Sequence, residues 1–567
     1  MGAGSSIRGQ DKIMNPDQPK YKTTDEVDFV IVGSGAAGGI LAKELSTNGF
    51  RVVVLEQGPY LTEKDFVHDE IKVRQFDLLT NHPDLQPNTF RKTPNEKARH
   101  QRAIMYGRLV GGTSVHFTAN FWRFHEIDFT EHTRFGPAAG ADLVDWPITY
   151  ADLEPYYTKV EWEIGVSGLE NASPFDPPRS KPYPMPPLPV KSSGVLFERA
   201  ARKLGFHPFP APMAILSKPR PGRSACINCG FCLGFGCEVG AKSSSLASAI
   251  RMAEQTGRCE IRPNSYVHRI DLDANGRATG AVYFDEKRAV QRQKAKAVVI
   301  CANGAETPRL LLLSANKQFP NGLANSSGIV GKHLMMNSAA ISRGLFEHPL
   351  NDYKGFAASR VLHDFYELDP DKVGFRGGGG LDARFTDTPI SFALGSMPPG
   401  APRWGKGFKD VLSHNFPRTF EIFCHGTSLP VADNSISLDP ELKDAWGLPA
   451  IRMTYKDHPD DLKLCNWMNV RAAEILEAAG AVKKWSFPAR EQQFGVHLLG
   501  TCRMGNDPKT SVINSDHQTH DVKNLFLCDG SSLVTSGRGQ PTMTIEALAF
   551  RAADRITALS KRGDLGA

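Results

Sequence analysis

The stretch that most constrains the fold lies near the N-terminus, where an apolar segment runs into three spaced glycines. Residues 27–32 are mostly apolar and β-branched, as in a buried parallel strand. The glycines are Gly33, Gly35 and Gly38, and a helical segment then leads to a second apolar strand that ends at Glu56. Strand, glycine triplet, helix, strand and terminal acid together predict a dinucleotide-binding βαβ unit.

Each part of this unit has a physical task. Glycines permit the tight turn and let the backbone approach a pyrophosphate at a helix N-terminus. Glu56 comes 18 residues after Gly38 and is placed to accept hydrogen bonds from a ribose diol. An acid at this point disfavours a 2′-phosphate, so NADP is not expected. The alternative interpretation is a glycine-rich turn without a ligand.

Composition excludes several classes of protein. The 567 residues include 67 Lys and Arg against 61 Asp and Glu, a net charge of +6. These charges are spread out, so nucleic acid is not an expected partner. No apolar run approaches the roughly 18 residues of a membrane-spanning helix.

The first residues have the composition of a leader. Residues 1–23 are polar and are predicted to form a flexible leader without the apolar core of a secretory signal. Gly2 and Ser6 match a myristoylation pattern, which we interpret as chance.

Four of the ten cysteines fall within twelve residues, and three glycines lie between them. Their spacing is close to that of ferredoxins and predicts an iron–sulfur cluster of the 4Fe-4S or 3Fe-4S type. A zinc site is the main alternative, and disulfides or free thiols are the other. The predicted ligands are Cys226, Cys229, Cys232 and Cys237.

Four blocks together resemble the glucose–methanol–choline (GMC) family of FAD-dependent alcohol oxidoreductases. They are the βαβ unit, residues 107–114, residues 302–312 and the stretch from His497 to Pro541. With its cysteine cluster, the chain is similar to the iron–sulfur sugar dehydrogenases of that family, of the gluconate 2-dehydrogenase and glucoside 3-dehydrogenase type.

The resemblance implies an α/β fold, in which a Rossmann-like FAD-binding domain carries a discontinuous α+β substrate domain. Residues 24–330 are expected to be mainly FAD-binding, with a cysteine-cluster loop at about 222–242. Residues 331–489 are expected to bind substrate, and residues 490–567 to form a C-terminal FAD-binding and catalytic segment.

The resemblance also implies which residues contact FAD outside the βαβ unit. The expected contacts are Gly111, Gly112, Thr113, His116, Asp529, Gly530 and Thr542. For the histidine of this set, three roles stay open: a covalent bond to the flavin, a noncovalent contact, or no flavin role.

The same resemblance implies the catalytic pair. His497 matches the active-site histidine of the family, and imidazole suits proton abstraction from a hydroxyl. The family usually has Asn or His where this chain has Gln540. The longer amide is expected to hydrogen-bond the substrate, and the alternative is that it points away.

The expected activity is oxidation of a sugar, glycoside or polyol by hydride transfer to FAD. Electrons would leave through the cluster to a cytochrome or quinone-type acceptor, with a small partner subunit. The alternatives are an oxidase that uses oxygen and a noncatalytic electron-transfer subunit. We expect a periplasmic protein exported with a signal-bearing partner, or else a cytoplasmic one.

Overall fold

A computed structural model describes residues 19–75 and 77–565. Most of the predicted leader lies outside the described residues. The strands are β1 (Val27–Val32), β2 (Val52–Leu55), β3 (Asn88–Arg91), β4 (Arg99–His100), β5 (Phe209–Pro210), β6 (Cys259–Arg262), β7 (Tyr266–Leu272), β8 (Ala278–Phe284), β9 (Val290–Ile300), β10 (Ser338–Leu345), β11 (Ala358–Leu362), β12 (Gly379–Arg384), β13 (Thr419–Gly426), β14 (Ser435–Lys443), β15 (Pro449–Thr454), β16 (Lys483–Ser486) and β17 (Leu525–Leu527).

The α-helices are α1 (Ala36–Thr47), α2 (Glu126–Phe135), α3 (Tyr150–Val160), α4 (Ser192–Lys203), α5 (Arg251–Gln255), α6 (Asn303–Leu313), α7 (Pro370–Val373), α8 (Pro389–Ser391), α9 (Gly405–Asn415), α10 (Pro459–Ala478) and α11 (Thr542–Lys561). Short 3₁₀ or π turns are formed by Ile71–Gln75, Gly112–Val115, Glu161–Gly165, Leu246–Ile250, Phe392–Ser396, Phe416–Arg418 and Gly530–Ser532. In the described part of the chain, no helix combines the length and apolar character needed to cross a membrane.

A seven-stranded sheet forms the base of the molecule. Its parallel part runs β6-β2-β1-β9, and β17 also pairs with the end of β9. The first half of β9 pairs antiparallel with β8, which pairs with β7. β1 and β2 are almost fully buried, which explains their continuous apolar sequences. Helix α1 packs on this sheet, α11 packs on α1, and α3 packs on α11.

The glycine turn joins β1 to α1 through very close backbone approaches. Gly33 has φ +94°, and a Cβ there would lie 2.5 Å from the carbonyl oxygen of Cys301. A Cβ at Gly38 would lie 2.0 Å from the carbonyl oxygen of Gly33. The triplet therefore permits both the turn and the tight packing of helix on strand.

Two further sheets complete the fold. A six-stranded antiparallel sheet has the order β16-β10-β13-β12-β11-β5, and α10 packs on β10 and β13. A four-stranded sheet has the order β14-β15-β3-β4. β3 and β5 thus come from the segment expected to be mainly FAD-binding, yet they pair with strands of residues 331–489, and β4 pairs with β3. The two expected regions are interleaved through hydrogen-bonded strands.

Gly38→Ala is expected to destabilise the protein by about 1–3 kcal/mol, because the added methyl group meets backbone atoms that cannot turn aside. Thermal unfolding of the variant should show a lower midpoint than the native protein. Gly395→Ala is the matched control, since a Cβ at that position meets nothing within 4 Å. Equal midpoints for the two variants would contradict this account of the turn.

Candidate functional site

A cavity of about 720 Å³ lies where the parallel strands end, facing the six-stranded sheet. The chain segments directly after β1, β9 and β17 form one wall, and residues of β10, β12 and β13 form the opposite wall. The predicted site residues that line it are Gly33, Gly35, Glu56, Gly112, Thr113, His116, His497, Asp529, Gly530, Gln540 and Thr542.

Two predicted contact residues do not line this cavity. Gly38 lies one layer behind it, where its missing side chain allows α1 to approach Gly33. Gly111 has φ +95°, and its N–H donates to the Ser34 hydroxyl at 3.0 Å. Both glycines therefore shape the backbone of the site, and their contact with a ligand stays a prediction.

The cavity has the character of an anion cradle on one side. The N-termini of α1 and α11 border it, and neither has a side-chain cap or an acid in its first turn. Their backbone N–H groups are therefore available to an anionic ligand such as a pyrophosphate. Gly112 fits against Gly35, where an added Cβ at Gly112 would lie 2.9 Å from the Gly35 Cα.

Glu56 is already held by the glycine turn. Its Oε2 accepts from the Ser34 backbone N–H at 3.1 Å and from the Ser34 hydroxyl at 2.8 Å, and its Oε1 accepts from Gly58 N at 3.0 Å. Burial raises the pKa of this carboxyl group. Because a carboxylate has about four acceptor positions, room remains for one ribose hydroxyl.

Asp529 connects the end of β17 to the start of α6. Its carboxylate accepts from Ser531 N at 2.7 Å, Asn303 N at 3.0 Å and the Thr307 hydroxyl at 2.6 Å. Burial raises the pKa of Asp529. These bonds fix two cavity-lining segments relative to each other. Gly530 is next to it, and a Cβ there would lie 2.6 Å from the Leu498 carbonyl oxygen.

His116 presents an unpartnered polar atom to the cavity. The side chain is buried, and its Nε2 has no hydrogen-bond partner among the described residues. Burial, followed by the nearby charge of Lys242, lowers the pKa of His116 to about 4. A neutral imidazole with an unused nitrogen fits a ligand placed against it in the cavity.

His497 is oriented by an asparagine on the facing strand region. His497 Nδ1 lies 3.0 Å from Asn337 Oδ1. The Asn337 Nδ2 donates to the carbonyl oxygens of Gly426, Ser536 and Gly537 at 3.1–3.3 Å, so its Oδ1 faces the imidazole. His497 must therefore carry its hydrogen on Nδ1, which leaves the Nε2 lone pair as an acceptor.

The protonation state of His497 suits its role as a hydrogen-bond acceptor at Nε2. Its burial, and secondarily the nearby imidazole of His425, lowers the pKa of His497 to about 4. The ring is therefore neutral at neutral pH. Although deep in the protein, the side chain is only half-buried, because it borders the cavity.

Gln540 is held by a buried histidine–aspartate pair. Gln540 Nε2 lies 3.1 Å from His425 Nδ1, and His425 Nε2 lies 2.7 Å from Asp382 Oδ2. Asp382 also accepts from Arg384 and from the Asn120 amide. Gln540 and His425 both line the cavity, and a hydrogen bond from Gln540 to the substrate stays a prediction.

The four clustered cysteines surround a second, small cavity of about 20 Å³. All four are free thiols, and the charged residues of the lining are Lys242 and Glu238. Lys242 is buried, and its Nζ donates to the carbonyl oxygens of Val115, Cys232 and Phe235 at 3.3, 2.6 and 2.8 Å. Three carbonyl acceptors require three N–H groups, so this amine is an ammonium ion.

The predicted metal centre is not visible as a set of converged ligands. Across residues 19–75 and 77–565, no group of three or more His, Cys, Asp or Glu side chains is arranged to hold a metal ion. The structure thus brings the four thiols to one cavity, and the iron–sulfur cluster stays a prediction.

Comparison with known proteins identifies the family. The N-terminal GMC oxidoreductase family model matches residues 27–350, and the C-terminal one matches residues 430–549. The chain belongs to the GMC oxidoreductase family. This membership confirms the predicted family, the oxidoreductase class and FAD as the family's cofactor.

Relatives within the GMC family act on alcohols and sugars by name. The chain is 36% identical to 2-methyl-1,2-propanediol dehydrogenase of Mycolicibacterium austroafricanum, with 94% of this chain and 96% of that protein covered. It is 31% identical to the fructose dehydrogenase large subunit of Gluconobacter japonicus, with 95% of this chain and 99% of that protein covered. It is 28% identical to the gluconate 2-dehydrogenase flavoprotein of Pantoea cypripedii, with 94% of this chain and 93% of that protein covered.

Solved structures confirm the predicted fold. Pyridoxine 4-oxidase from Mesorbium loti matches with a TM-score of 0.61 at 18% identity, covering 93% of this chain and 98% of that one. A formate oxidase variant from Aspergillus oryzae, studied for FAD modification, matches with a TM-score of 0.60 at 15% identity. The match covers 95% of this chain and 99% of that one.

Sequence reasoning missed the residues that orient the predicted catalytic pair. Asn337 and His425 are not adjacent in sequence to His497 or Gln540, and neither lies in a recognisable motif. Asp382 is on β12, where it pairs across the sheet with Phe423 of β13. One available signal was the polar side chains of these otherwise apolar strands, since buried polar groups need partners.

Nitrogen-15 NMR of histidine-labelled protein should show His497 as the Nδ1–H tautomer, with a pKa near 4 in place of the reference value of about 6.5. The resonance can be assigned by its loss in His497→Gln. In Asn337→Leu, which removes the acceptor with little change in size, the single tautomer should give way to a mixture. An Nε2–H tautomer in the native protein would contradict the assignment.

Proposed function

We propose that this GMC oxidoreductase is an FAD-dependent dehydrogenase that oxidises a hydroxyl group of a sugar, glycoside or polyol. The observation that carries the proposal is the His497 Nε2 lone pair, which faces a cavity bounded by the dinucleotide-binding glycine turn. A base and a cofactor cradle therefore share one space.

The residues present fit FAD. The uncapped helix N-termini, Glu56 and the Gly35–Gly112 approach suit the dinucleotide, and the unpartnered Nε2 of His116 suits the flavin side. When bound, FAD accepts a hydride from the carbinol carbon. His497 takes the hydroxyl proton on Nε2, so that the alcohol loses two electrons and two hydrogens and becomes a carbonyl compound.

The substrate class is supported by the polar groups that meet near His497. Gln540, Asn337, Arg384 and His425 also line this part of the cavity. Such a density of hydrogen-bonding groups suits a hydroxylated molecule better than an aliphatic one. The names of the three relatives, a diol, a sugar and a sugar-acid dehydrogenase, support the same class.

We propose further that Cys226, Cys229, Cys232 and Cys237 hold an iron–sulfur cluster that carries electrons out of the enzyme. The donor set is suitable, and the Lys242 ammonium, with no carboxylate bonded to it in the described residues, complements an anionic cluster. Because the present space is small, binding requires the loop to open.

The cysteine loop also forms part of the large cavity. Cys232 lines the small cavity, and the next two residues, Leu233 and Gly234, line the large one. Gly234 N donates to the His116 carbonyl oxygen at 2.7 Å. A short covalent path thus separates the two spaces, which supports electron exit toward a cytochrome or quinone-type acceptor, with a small partner subunit.

Two other functions are alternatives, and only the oxidase has specific support. An oxidase is favoured by paromamine 6'-oxidase of Streptomyces fradiae, to which the chain is 28% identical over 93% of its length. A noncatalytic electron-transfer subunit would carry flavin and an iron–sulfur cluster without oxidising a substrate, and the oriented base at His497 argues against it. Anaerobic reduction by polyols, followed by reoxidation with air or an artificial acceptor, distinguishes all three.

Two properties of the bound enzyme stay open. His116 either bonds the flavin covalently or only contacts it, and acid precipitation separates the cases because covalent flavin remains with the protein. We propose the periplasm as the compartment, with export by a signal-bearing partner, and the cytoplasm as the alternative. Fractionation of the native host decides between them.

His497→Ala is expected to slow anaerobic flavin reduction by about 10²- to 10⁴-fold while FAD stays bound, because the general base is lost. In the native enzyme, the rate should hold from neutral pH downward and fall as pH drops through about 4, where Nε2 becomes protonated. Stopped-flow absorbance measures both. The exposed His348→Ala is the control, and an acid limb near the reference pKa would contradict the structure.

Elemental analysis of protein purified without oxygen is expected to find about three or four irons and about four sulfides per chain. Cys229→Ser should leave flavin reduction by substrate nearly unchanged and slow the reduction of an external cytochrome, because substrate oxidation takes place in the large cavity. Cys259→Ser, a buried cysteine outside the cluster, is the control. Stoichiometric zinc without iron would refute this part of the proposal.

A further inference from the structure

The two side chains that face the substrate end of the cavity are each oriented by a separate hydrogen-bond chain. For His497, the chain begins at three carbonyl oxygens that hold the Asn337 amide and ends at the Nε2 lone pair. This end is a hydrogen-bond acceptor. The second chain begins at Asp382 and ends at Gln540.

The direction of the second chain follows from the carboxylate. Asp382 can only accept, so its contact of 2.7 Å with His425 requires the hydrogen of the imidazole to be on Nε2. Arg384 also lies 2.9 Å from this nitrogen, but its guanidinium donates to Asp382 through two nitrogens, which neutralises its charge. His425 Nδ1 is therefore a lone pair.

The lone pair on His425 Nδ1 fixes the orientation of the Gln540 amide. Gln540 Nε2 donates to His425 Nδ1 at 3.1 Å, so the amide nitrogen is directed toward the imidazole. The Gln540 Oε1 has no hydrogen bond within the described residues and belongs to a side chain that lines the cavity. This second end is a hydrogen-bond acceptor as well.

We propose that the site recognises a vicinal diol unit, and that His425 is the positioning residue that makes it do so. One hydroxyl of the substrate donates to His497 Nε2 and is oxidised, while the neighbouring hydroxyl donates to Gln540 Oε1. A monoalcohol satisfies only one of two acceptors. The inference rests on the proposed oxidation of alcohols at this cavity and adds the feature that selects among them.

The discriminating substrates are 1,2-propanediol, 2-fluoro-1-propanol and 1-propanol. Fluorine withdraws electrons as a hydroxyl does and adds little bulk, but it has no hydrogen to donate. The kcat/KM for anaerobic flavin reduction by the diol is expected to exceed both other values by about 10-fold or more, the effect of a buried acceptor left unpaired. Sugars and larger polyols contain the same unit.

Gln540→Met removes the acceptor at similar length and should bring the diol-to-fluoro ratio near one, with the change mainly in the diol. His425→Leu should do the same without touching Gln540, and His425→Gln should restore part of the preference, since its amide can accept from Gln540 and donate to Asp382. His363→Leu is the matched control. Both histidines pack on Trp122, at 4.6 Å for His363 and 4.8 Å for His425.

The outcomes separate this inference from the function on which it rests. If no alcohol reduces the flavin, both fail. If the three substrates react equally, or the fluoro compound is preferred, diol recognition is overturned while alcohol oxidation stands. If His425→Leu does not fold, Gln540→Met decides, and a diol preference that survives there overturns the proposal. Loss of the preference in His363→Leu to the same degree would overturn the role of His425.

Discussion

The pairing of β9 with strands on both of its sides is the constraint on which the site depends. Val298–Ile300 of β9 pair in parallel with β1 on one side and with β17 on the other. Parallel strands end at the same edge of a sheet, so three chain segments hundreds of residues apart meet there. The glycine turn, the start of α6 and the Asp529 turn are brought together in this way, and the cavity opens directly above them.

The direction of hydrogen bonds then decides what this cavity can do. A buried imidazole or amide can turn either way unless its neighbours leave one choice. Three carbonyl oxygens leave Asn337 one choice, and a carboxylate leaves His425 one choice. In both cases the group that imposes direction lies behind the residue that faces the cavity. Burial strengthens the effect, because an unpaired polar group in a medium of low dielectric is strongly disfavoured.

Local sequence patterns were enough to predict part of the lining of the cavity. The glycine turn, its helix and the position of His497 are encoded by neighbouring residues and by family motifs, and the structure brings them to one cavity. Glu56 was expected to accept hydrogen bonds from a ribose, yet Ser34 and Gly58 already donate hydrogen bonds to it. These hydrogen bonds to Glu56 depend on how the chain turns in three dimensions, which the spacing of residues in the sequence does not describe.

Residues whose role arises from long-range pairing could not be predicted. Asn337 and His425 acquire their functions only because β10 and β13 are neighbours in a sheet that faces the C-terminal segment. The pairing of β3 and β5 with later strands could not be predicted for the same reason. Two-residue strands such as β4 and β5 have no sequence period to detect.

The departure of Gln540 from the usual residue of its family gains a physical meaning from this geometry. Its side chain extends from the loop before α11 to His425 on the six-stranded sheet, so the amide bridges the two walls of the cavity. An asparagine is one methylene shorter, and a histidine has no carbonyl oxygen to present. The sheet that faces the cofactor cradle therefore sets the polarity of a residue belonging to the C-terminal segment. In the proposed reaction, Gln540 selects the substrate and is oriented by His425. His497 takes the proton and is oriented by Asn337. The two chains are linked, because burial and then the His425 imidazole lower the pKa of His497.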